Sequence, residues 1–164
     1  MRATTPSGFE QRVRSVWDTM AVPSAAVEDP GLESQDVAGW VQGRTFGEIA
    51  EDEEQLHAQM PLLCLTDEAC AYYLAAYLLR MANALDHGRS DELEGHFALL
   101  HLIHFVGSER GIQICNSYLS ERQRALLCDL CDELITYENL VQPKEVLKLF
   151  IFGITALKKL GSGQ

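Results

Sequence analysis

The stretch LTDEACAYYLAAYLL, Leu65 to Leu79, sets Tyr72, Tyr73 and Tyr77 into an otherwise apolar run behind a threonine. Thr66 suits a helix N-cap, with Asp67 and Glu68 in the first turn, where the helix dipole favours anions. Cys70, Tyr73, Leu74, Tyr77, Leu78 and Met81 recur at spacings of three and four, and Tyr72, Ala76 and Leu79 widen the stripe. So broad a stripe predicts a helix buried on more than one side. It should run from Thr66 to about Leu85 and stop near residues 86–88. Tyr73 and Tyr77 share a face, and Tyr72 points about 100° away. A buried tyrosine keeps its hydroxyl hydrogen-bonded. The three therefore read either as core side chains bridging to other helices or as a pocket or interface, where tyrosine serves as an anchor.

Other helices lie on both sides of this one. Phe9, Val13, Val16, Trp17 and Met20 form one apolar face, predicting a helix from Ser7 to about Met20. The segment VPSAAVEDPG then breaks it. Residues 21–44 read as an irregular connection, with room for a short helix near Ser34. Thr45 and Glu48 have capping-box spacing for another short helix. Ser90, followed by Glu92 and Leu93, opens a helix reaching about Phe105, and Ser120 with Gln123 forms a second capping-box pattern. The helix after Ser120 turns Leu126, Leu127, Leu130, Cys131, Leu134 and Ile135 inward. Pro143 suits a first helical turn, and a last helix should run to about Leu160. Its centre is apolar nearly all round, so it is central or shared with a partner; LKLFIFGI also fits a buried strand. The expectation is an all-α single-domain bundle of five to seven helices over residues 1–160, with a flexible tail at 161–164.

The chain has 164 residues, enough for one domain with a proper core. Its 13 basic and 24 acidic side chains give a net charge of −11, which opposes binding to nucleic-acid phosphates or to an anionic membrane. The same charge suits a basic protein partner, or serves solubility alone. Residues 21–66 carry −8 and residues 143–164 carry +3. The N-terminal residues lack the apolar core of a secretory signal, and the most apolar window is too short for a bilayer, so a cytosolic protein is expected. Five cysteines without a scaffold spacing predict reduced thiols.

Few residues are arranged for chemistry. His101 with His104, and Cys128 with Cys131, each have i, i+3 spacing on an expected helix, and zinc accepts such ligands. LLCDLCDEL is nonetheless a regular amphipathic helix, in which cysteines belong to the core. Glu92 and His96 are i, i+4 and could orient an imidazole, which on a helix is ordinarily a plain hydrogen bond. No phosphate-cradling glycine loop, dinucleotide fingerprint or serine elbow is present. Neither a catalytic group nor a cofactor is expected.

The central stretch resembles an uncharacterised bacterial family, known as a domain of unknown function, with a pattern like L-T-P-E-A-x-x-Y-Y-L-P-A-Y-L-L. GRTFGEIAEDEEQL and YLSERQRALLCDLCDELI are similar to flanking parts of that pattern, and the likeness spans roughly residues 8–138. Asp67 and Ala75 stand where the family pattern has proline, which makes a straight helix easier here. The resemblance brings no chemistry with it, but some small acidic proteins like these accompany bacterial toxins as immunity partners.

The leading expectation is therefore a non-enzymatic protein that binds and neutralises a cognate toxin. Glu51, Asp52, Glu53, Glu54, Asp91, Glu92 and Glu94 would face a basic cleft, with Trp40 and Phe46 as aromatic anchors. The alternatives are a metal- or small-ligand-binding domain using His101, His104, Cys128 and Cys131, and a homodimer held by VLKLFIFGITAL, Val146 to Leu157.

Overall fold

The computed structural model describes residues 8–24, 40–52, 65–93, 96–137, 140 and 144–161. These hold seven α-helices and one 3₁₀ turn, with no strand among them. In chain order the helices are α1 (Phe9–Trp17), α2 (Phe46–Glu51), α3 (Asp67–Asp86), α4 (Phe97–Val106), α5 (Glu109–Tyr118), α6 (Glu121–Ile135) and α7 (Lys144–Gly161). The 3₁₀ turn, Ser90–Leu93, lies between α3 and α4. The protein is an all-α single-domain bundle. The expected short helix near Ser34 and the tail residues 162–164 fall outside the described residues.

α3 is the axis, as the width of its apolar stripe predicts. Its central residues, from Ala69 to Leu79, are all buried. α1, α2, α4, α5, α6 and the 3₁₀ turn all pack against it, while α7 closes the far side over α4, α5 and α6. Thr66 caps α3 by accepting the Ala69 amide at 3.2 Å. At the other end Gly88 adopts φ +67°, a left-handed conformation that favours glycine. The Arg89 amide then reaches back to the Ala84 carbonyl at 2.7 Å and the Gly88 amide to Leu85 at 3.3 Å, a Schellman closure.

The tyrosines belong to the core. Tyr72 accepts the Phe46 amide through its hydroxyl at 3.2 Å, and the two rings meet edge to face with centroids 5.4 Å apart. The Tyr73 hydroxyl lies 2.7 Å from both the Val41 and the Arg44 carbonyls. Its single proton serves one of them at a time. Tyr77 is fully buried, with its ring edge-on to His101. Tyr72 and Tyr73 thus hold α2 and the turn before it onto α3.

Two details depart from the sequence expectations. The helix expected from Ser90 to Phe105 is interrupted: the 3₁₀ turn ends at Leu93, and α4 starts at Phe97, where the His96 ring nitrogen accepts the Ala98 amide at 3.1 Å. α5 has no counterpart among the expected helices. At its Gly111 a Cβ would run into the Phe105 carbonyl, so glycine is what lets α5 turn tightly off α4. The last helix is present as expected, and LKLFIFGI takes the helical one of its two readings within α7. Gly153 sits where a side chain would strike the Val106 carbonyl, which brings α7 close against the end of α4.

Candidate functional site

α2 runs alongside α3 in the same direction. Its first amide, Phe46, meets Tyr72, and its last residues, Ala50 and Glu51, flank a cleft with Leu79, Arg80 and Asn83 of α3. α1 supplies the remaining wall with Glu10 and Arg14, and the cleft holds about 290 Å³. Arg80 is the one charged residue of α3 between Glu68 and Asp86, and it is half-buried.

A polar chain leads out of this cleft. Arg14 pairs with Glu10 at 3.6 Å, and the Asn83 amide donates to Glu10 at 3.3 Å. Arg89 donates to the Asn83 side-chain oxygen Oδ1 at 2.6 Å and lies 3.9 Å from Glu92 on the 3₁₀ turn. Asp86 adds a further carboxylate by accepting the first amides of α1. One pole of the bundle therefore gathers Glu10, Glu51, Asp86, Asp91 and Glu92, with Arg14, Arg80 and Arg89 among them.

The residues singled out from sequence are distributed unequally over this geometry. Glu51, Asp91 and Glu92 are exposed. Sequence segments forty residues apart thus reach the same pole, because α2 points Glu51 toward the end of α3 from which the 3₁₀ turn departs. Asp52 is turned inward: it accepts the Trp40 indole N–H at 2.8 Å and lies 3.6 Å from Arg44. Trp40 is accordingly half-buried, its polar edge occupied by Asp52. Phe46 is only 4% exposed and packs on Tyr72, so its ring serves the core. Glu53, Glu54 and Glu94 lie outside the described residues. Sequence reasoning passed over Glu10, Arg14, Arg80 and Asn83. A lone arginine in an apolar helix was the available signal for Arg80; the others are ordinary surface residues until α1 is docked.

The alternative metal residues do not come together as a ligand set. Among the described residues no group of three or more His, Cys, Asp or Glu side chains is placed to hold an ion. Cys70, Cys115, Cys128 and Cys131 are buried free thiols. Burial pushes the Cys128 thiol up to about 11 and the Cys131 thiol well above its ordinary range, so both favour the protonated form. His101 is held below the ordinary imidazole value by burial and then by nearby His104, which is itself exposed. Among the described residues no helix is long and apolar enough to cross a membrane.

Comparison with family models, with curated proteins and with solved structures returns no match for this chain.

Proposed function

We propose that this protein acts by binding another protein, without chemistry of its own, and that it is an immunity protein neutralising a cognate bacterial toxin in the cytoplasm. The observation that carries this reading is the acidic pole, where Glu51 and the Asp91–Glu92 pair are exposed on elements fixed to α3. Carboxylates on a firm frame attract a basic cleft over a Debye length and keep their positions on docking. The mechanism is steric and electrostatic: the pole seats over the toxin's basic active-site cleft and keeps its substrate out. The net charge of −11 adds to the steering. The toxin as partner is what the likeness of the Leu65–Leu79 motif implies; the basic character of the partner follows from charge alone.

The test is co-purification of the tagged protein from its source cell, at low and moderate salt, beside the variant Glu51→Lys/Asp91→Lys/Glu92→Lys. The expected result is one stoichiometric basic protein retained by the native chain and lost from the variant. That protein, expressed alone, should arrest growth, and co-expression of the native chain should restore it. A partner held equally by the variant would remove the pole from the interface, and a harmless partner would end the toxin reading.

A further inference from the structure

We draw no further inference here: the strongest candidate, the exposed apolar face of α7 formed by Leu149, Ile151 and Phe152, carries nothing, because nothing in the structure shows what covers it.

Discussion

Asp86, the last residue of α3, accepts the backbone amide of Phe9, the first residue of α1, at 2.9 Å, and its second oxygen takes the Glu10 amide at the same distance. The carboxylate thereby satisfies two donors that a helix start leaves open, and its charge lies at the positive end of the α1 dipole. It does so from the opposite side of the sequence, so the cap is also a tertiary clamp. Asp86→Ala should cost about 1–2 kcal/mol in urea unfolding. Asp86→Asn, which retains one acceptor oxygen, should cost less. Equal stability of all three proteins would show that α1 starts without this clamp.

The hydroxyl of Tyr73 has a similar bridging role for α2. Tyr73→Phe leaves the Val41 and Arg44 carbonyls without that donor and should destabilise by about 1–3 kcal/mol. Burial also raises the phenol from 10.0 to about 12. The unfolded phenol loses its proton near pH 10, where the folded one still keeps it. Tyr73 therefore contributes stability that is whole below pH 10 and is lost as pH rises toward 12. Alkaline unfolding followed by circular dichroism should be shallower across that window in Tyr73→Phe. Identical pH profiles for the two proteins would show that this phenol titrates alike in both states.

The buried thiols give a third expectation. Cys70, Cys115, Cys128 and Cys131 are enclosed, and burial raises Cys115, Cys128 and Cys131 above their ordinary value. A thiol reacts as its thiolate, so these groups should be inert to an aromatic disulfide reagent at pH 8 in the native protein. In guanidinium all five cysteines of the chain should react. Rapid native labelling of Cys128 or Cys131, located by mass spectrometry, would show that α6 opens readily and would reopen the metal reading.

What could be read from the sequence was the local part of this structure. Thr66, Thr45 and the Ser120–Gln123 capping box act within one helical turn, and each caps the helix expected of it. The breadth of the α3 stripe reported its central position because burial on several sides leaves no polar face. What escaped depends on elements meeting in space. α5 had no expected counterpart, and the purpose of its Gly111, clearance of the Phe105 carbonyl, exists only once α4 and α5 are folded together. Phe46 and Trp40 read as possible anchors because an aromatic residue near an acidic run looks the same whether its ring faces solvent or Tyr72. The cleft residues Glu10, Arg14 and Asn83 come from two helices joined by no pattern in the chain.

Gln123 combines both kinds of contact, and it yields the sharpest pH experiment. Its side-chain oxygen accepts the Ser120 amide at 2.8 Å, completing the capping box, while its NH₂ donates to the Val16 carbonyl at 3.1 Å and ties α6 to the end of α1. The residue is 3% exposed, so neither bond is readily replaced by water. In Gln123→Glu the first bond can persist, but an ionised oxygen now faces a carbonyl and cannot donate. Protonated, the same carboxyl can donate to Val16 again. Burial raises the folded pKa of the new acid above its unfolded value of about 4.3. The penalty relative to the native protein should thus be small below pH 4 and grow as pH rises through those two values. It should reach about 1–3 kcal/mol at neutrality. Gln123→Ala, which loses both bonds at every pH, should show a deficit that does not change over the same range. If Gln123→Glu behaves like Gln123→Ala in urea unfolding from pH 3.5 to 8, the Val16 bond is not what holds α6 to α1.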